Sequence, residues 1–161
     1  MRKSLPMAAF AICLLGQPAA VEAQNRPIEG HQNLKLGMTI SEALAAEPRA
    51  RRSNDCDQHG CLSYFDRRFL GTGFQVRADF GEADSLGSIL MSVELAGGGA
   101  VRCADFYRNA VRDYTRAHGV PEDSSEAVAT WQDAFAIITV TGGCTAGNDS
   151  TVQIAIDRRY R

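Results

Sequence analysis

The 161-residue sequence carries a single tryptophan, five prolines and only two lysines, Lys3 and Lys35. Its formal charge is −2 at pH 7. No field of one sign exists to draw a polyanion, so no nucleic-acid partner is expected. After the first 23 residues no run of about 18 apolar residues occurs, so no transmembrane anchor is expected in the remainder. The G-x-S-x-G elbow of the α/β-hydrolases, the phosphate-cradling G-x-x-x-x-G-K-[ST] and the redox C-x-x-C are all missing. What is present is an ordinary globular composition, 45% hydrophobic and 22% charged.

The first residues hold the one extended apolar stretch. Arg2 and Lys3 are followed by an apolar segment from Leu5 to Gly16, and Val21-Glu22-Ala23 places small residues at −3 and −1. This order reads as a secretory signal peptide over residues 1–23, cleaved near Ala23. Ile12 precedes Cys13, where a lipobox needs a small residue, so no lipid anchor is expected. The mature chain then runs from Gln24 to Arg161. Losing Arg2, Lys3 and Glu22 moves the formal charge by one unit, to −3. The expected location is the periplasm or the exterior.

Cleavage also removes Cys13, one of five cysteines. Cys56, Cys61, Cys103 and Cys144 remain, an even number in an exported chain, and they allow three connectivities. Cys56–Cys61 with Cys103–Cys144 is the favoured pairing. The first closes a short loop. The second joins the start of a predicted helix to the end of a predicted strand. Chain entropy gives them about 2 and about 4 kcal/mol. The competing metal reading uses Cys56, His59 and Cys61, but C-x2-H-x-C is not a standard zinc spacing. No metal and no cofactor are expected.

Residues 24–33 are polar, with Pro27 and Gly30, and read as a loose N-terminus; 34–161 read as one domain. Thr39 and Glu42 form a capping box before a short helix that Pro48 ends. Tyr64–Leu70, Phe74–Phe80 and Ile89–Leu95 are predicted strands, the second with clear period-2 alternation. A helix over 101–118 carries Cys103, Phe106, Tyr107, Ala110, Val111 and Tyr114 on one face. Gly119 and Pro121 stop it. Strands follow at Ala127–Trp131, Phe135–Thr141 and from Thr151. The apolar run of 135–141 suggests burial on both faces or a central position. The expected fold is α+β: an antiparallel sheet of about six strands in α-βββ-α-βββ order, two helices on one face.

The segment Leu36-Gly37-Met38-Thr39-Ile40-Ser41-Glu42-Ala43, closing at Pro48, resembles the G-M-T-x-x-E start of small envelope modules. These are the BamE/SmpA-type assembly lipoproteins and the β-lactamase-inhibitor-protein-like domains. The resemblance implies a short helix followed by an antiparallel sheet, a periplasmic module that binds other proteins, and no catalytic residues.

No catalytic constellation is legible. His31 lies in the polar N-terminus, His118 closes a helix where a cation suits the dipole, and His59 sits in the first cysteine loop. Arg51, Arg52, Arg67 and Arg68 belong to a set of arginine groups that, on one face, would grip carboxylates or phosphates. Tyr64 and Trp131 are residues of the kind that anchor interfaces, although Trp131 also borders a buried strand. The expected function is a non-enzymatic module that contacts an envelope protein through an open sheet face or the Cys56–Cys61 loop. Candidate contacts are Arg51, Arg52, His59, Tyr64, Arg67, Arg68 and Trp131. The alternatives are an arginine-mediated binder of an anionic envelope component, such as lipopolysaccharide or a peptidoglycan fragment, and a small hydrolase.

Overall fold

The computed structural model describes residues 26–56, 59–67, 72–95, 99–144 and 150–159. The segment read as a signal peptide and Arg68 lie outside them. The described chain is mostly β. A hairpin of β1 (Gly30–His31) and β2 (Leu34–Lys35) leads into α1 (Ile40–Ala46). Four strands follow: β3 (Arg51–Arg52), β4 (Cys61–Asp66), β5 (Phe74–Phe80) and β6 (Leu86–Glu94). Then come α2 (Gly99–His118), β7 (Asp123–Ser124), β8 (Val128–Gln132), β9 (Ala136–Gly143) and β10 (Thr151–Arg158).

The main sheet has eight antiparallel strands in the order β3-β4-β5-β6-β10-β9-β8-β7. The expectation of an α+β fold with six strands in α-βββ-α-βββ order and two helices on one face is therefore corrected: the described chain is mostly β, and α2 is the helix that packs on β9 and β10 while α1 sits against β2. Each helix precedes four strands, and the last strand of each set, β6 and β10, meets the other at the centre. The two additional strands are edge pairs of two residues, Arg51–Arg52 and Asp123–Ser124. Such short pieces show no period-2 pattern. Each pairs with one neighbouring strand over two residues, and their charges discourage edge-to-edge association.

One sheet face is covered and one is open. Tyr64, Val76, Met91, Ile154, Val140 and Ala129 lie in register across six strands, all buried. On the opposite face Ser63, Arg77, Leu90, Ala155, Thr139 and Thr130 make the matching row, each half-buried. The run expected to be buried on both sides follows this rule too. β9 alternates, with Ala136, Ile138 and Val140 inward and Ile137 and Thr139 half-exposed. Its apolar look comes from β-branched residues that suit either face of a strand.

Helix α2 lies on the covered face. Cys103, Tyr107, Ala110 and Tyr114 point inward at 3–4 spacing and are buried. Phe106 meets Phe74 at 5.3 Å between ring centroids. Gly142 lets the helix approach β9 closely: a Cβ there would sit 3.0 Å from the Tyr107 ring. Both expected disulfides are present, with Cα–Cα distances of 5.5 Å for Cys56–Cys61 and 5.4 Å for Cys103–Cys144. The second fastens α2 to the end of β9.

The segment read as loose is packed. Ile28 and His31 are buried, and residues 30–31 pair with 34–35. Gly30 has φ +148°, and a Cβ there would lie 2.1 Å from the Leu34 carbonyl, so no other residue fits. The polar composition hid this because the segment is held by side chains from elsewhere in the chain. The capping box also forms. The Thr39 hydroxyl accepts from the Glu42 amide, and the Glu42 carboxylate accepts from the Thr39 amide at 2.8 Å. Those bonds hold the Glu42 carboxyl below its usual range. Among the described residues no helix is long and apolar enough to cross a membrane.

Candidate binding cleft

The largest exposed aliphatic and aromatic side chains near one opening are Val120, 83% exposed, and Phe135, 69% exposed. They flank a cleft of about 590 Å³ where the end of α2 meets the β8–β9 turn. Trp131, His118, Asp133, Glu122 and the segment Arg26-Pro27-Ile28 complete its lining.

Local chemistry explains this shape. Gly119, with φ +89°, ends α2 and donates to the Thr115 carbonyl at 2.9 Å. Its own carbonyl accepts from the Trp131 indole N–H at 2.9 Å, which fixes the helix end over β8. Tyr114 packs between Trp131 and His118, at 5.7 and 6.0 Å between centroids. Burial pushes the Tyr114 phenol well above its usual value, so it stays neutral. The β8–β9 turn is an Asp-led turn: the Asp133 carboxylate accepts from the amides of Phe135 and Ala136 at 2.7 and 2.8 Å. That turn carries Phe135 outward.

Asp133 also reaches across the cleft and accepts from the Ile28 amide at 2.7 Å. Burial alone would raise its carboxyl, but the three backbone N–H groups and the nearby His118 outweigh it and hold the carboxyl below its usual range. His118 Nδ1 donates to the Arg26 carbonyl at 2.9 Å. The polar floor is thus engaged in fastening residues 26–28. The cleft presents no nucleophile with a neighbouring base, only an apolar rim above a rigid polar floor.

A second polar cluster pins the β1–β2 hairpin to β4. His31 Nε2 lies 3.4 Å from Asp66 Oδ2, and Gln32 Nε2 donates to the same carboxylate. Arg49 binds Glu47 through two 2.7 Å bonds and lies 3.6 Å from Asp66. Its guanidinium covers the Tyr64 ring at 5.2 Å. The Glu47 hydrogen bonds raise the guanidinium further above its already high value. Asp66 is fully buried and Glu47 nearly so, which requires such pairing.

The residues expected to contact a partner are dispersed. Trp131 reaches the cleft, but as a buried floor residue, and Tyr64 is buried under Arg49. Neither is an exposed anchor. Arg52 and His59 meet in a polar groove of about 430 Å³ beside Thr39 and Ser53. Arg51 instead folds back onto the Pro48 and Ala50 carbonyls. Arg67 lies over Phe65 near Arg102 at the opposite end of the sheet from Arg158. The arginines therefore do not converge on one patch. Phe135 and Val120 were missed. Phe135 falls at the start of the strand expected to be buried, and Val120, between Gly119 and Pro121, has no role in the sequence reading. The signal for Phe135 is its place inside the Asp-led turn, on the outward parity of Ile137 and Thr139. Among the described residues no group of three or more His, Cys, Asp or Glu could hold a metal ion.

Comparison with protein-family models, with curated proteins and with solved structures returns no match.

Proposed function

We propose that the protein is an exported, non-enzymatic binding module that engages a protein partner of the cell envelope through the cleft between α2 and the β8–β9 turn. The observation that carries this reading is that Val120 and Phe135, both largely exposed, line one cleft. Exposed apolar side chains around a well-formed concavity mark interaction surfaces, and an aromatic at such a rim is a favoured anchor. The two disulfides and the signal-like start agree with an oxidising compartment. The G-M-T-x-x-E resemblance to small envelope modules points to the same class of work. The open sheet face is the weaker candidate, because its central row is mostly small and polar and its exposed aromatic, Phe65, lies at the sheet's end under Arg67.

The test is crosslinking in the native envelope, followed by purification and mass spectrometry. Wild-type protein is expected to carry one protein partner, and the double variant Val120→Asp/Phe135→Asp to lose it while both disulfides remain. Recovery of lipid or glycan alone, or a partner retained by the double variant, contradicts the reading.

A further inference from the structure

Residues 26–29 run as a strap along the cleft and divide it from two neighbours. Clefts of about 590, 370 and 400 Å³ each use Pro27 as a wall. The first has Arg26, Pro27 and Ile28 on one side. The second has Arg26, Pro27 and Glu29, and the third Pro27, Ile28 and Glu29. Lifting the strap would join the three into one groove from the end of α2 past the β8–β9 turn to Leu36 and Arg158.

The strap's bonds show what chemistry this groove accepts. The Arg26 amide donates to the Ala117 carbonyl at 3.2 Å, and the Arg26 carbonyl accepts from His118 at 2.9 Å. Two residues on, the Ile28 amide donates to Asp133 at 2.7 Å. The Ile28 side chain is the strap's one buried apolar group. These are contacts to main-chain atoms of an extended segment, with one aliphatic seat. At its far end the Leu36 amide donates to the Glu29 carbonyl at 2.8 Å, and the Glu29 carboxylate pairs with Lys35 at 2.8 Å on the surface. The strap also leaves Val120 and Phe135 bare.

We propose that the strap occupies, within the same chain, the binding groove for an extended peptide segment of the partner, and that the partner displaces it. This inference rests on the binding reading above and names the form of the partner. The incoming segment donates two backbone N–H groups two residues apart, to Ala117 and Asp133, and places an aliphatic side chain in the Ile28 seat. Further apolar residues cover Phe135 and Val120, which the strap cannot do. That extra contact favours exchange. The strap in place acts as a built-in competitor at high effective concentration and restricts binding to segments that supply it.

The test uses a fluorescein-labelled peptide copying residues 25–31 and the full mature chain. Ile28→Ser weakens the strap in its own chain. This variant is expected to bind the peptide at least ten-fold tighter than wild type, with Trp131 emission and both disulfides unchanged. Adding Asp133→Asn is expected to weaken that binding again. Equal binding by wild type and Ile28→Ser, or no saturable binding by either, overturns the proposal. Sedimentation of wild type as a dimer, with Ile28→Cys and Asp133→Cys in different chains joining to each other, also overturns it and assigns the groove to a second copy. If the peptide fails while a protein still crosslinks at position 135, only the displacement is refuted. If both fail, the binding reading falls as well.

Discussion

At the scale of the residue, single carboxylates carry more of this structure than their number suggests. Asp133 holds three backbone amides and so joins the β8–β9 turn to the strap. Asp133→Asn presents an amide donor to at least one of those N–H groups. The expected loss is about 1–3 kcal/mol of stability, measured by denaturant unfolding. The Asp133 carboxyl is held below its usual range in the folded state. Its contribution is therefore complete above the unfolded value of about 4 and disappears as pH falls through the lower folded value. The protection factor of the Ile28 amide, corrected for the intrinsic exchange rate at each pH, should fall at acid pH in wild type and lose that dependence in Asp133→Asn. Asp66 is fully buried between His31, Gln32 and Arg49. Asp66→Ala removes the carboxylate that His31 and Gln32 share and should cost about 1–3 kcal/mol, read from the same unfolding curves.

At the scale of the element, legibility followed periodicity. α2, β5 and β10 are evident because one face of each is apolar at its own period; β5 has the expected bounds, β10 begins at the expected Thr151, and α2 begins two residues earlier than expected. The capping box at Thr39 and Glu42 was equally readable, since its chemistry is local. β3 and β7 were not, because two residues have no period. The hairpin at 30–35 was hidden for a different reason. Its polar residues His31 and Gln32 are satisfied by Asp66, 35 and 34 positions away, a contact no local pattern encodes. Phe135 was misread because an apolar residue beside a strand looks like part of it. The close approach of α2 to β9 at Gly142 is an element-level constraint that can be measured. Gly142→Val drives a branched side chain into the Tyr107 ring, and thermal unfolding should show a loss of about 1–3 kcal/mol.

At the scale of the whole molecule, two helix-plus-four-strand sets meet at β6 and β10 and form one continuous sheet with one covered face. The disulfides act at different reach. Cys103–Cys144 closes a long loop that contains all of β7, β8 and most of α2, while Cys56–Cys61 closes a short one. Replacing both residues of the first pair by Ala should cost about 4 kcal/mol, and of the second about 2 kcal/mol, in denaturant unfolding. Equal losses would show that loop closure is not the governing effect. This scaffold holds the α2 terminus and the β8–β9 turn in fixed relation beneath the strap, which is what a preorganised groove requires. The most direct measurement of the central claim is site-specific photo-crosslinking in intact cells, with the reactive side chain at position 135 and, as a control on the open sheet face, at position 75. A single protein adduct at 135 with none at 75 is the predicted result; adducts at 75 with none at 135 would place the interaction on the open face and contradict the account.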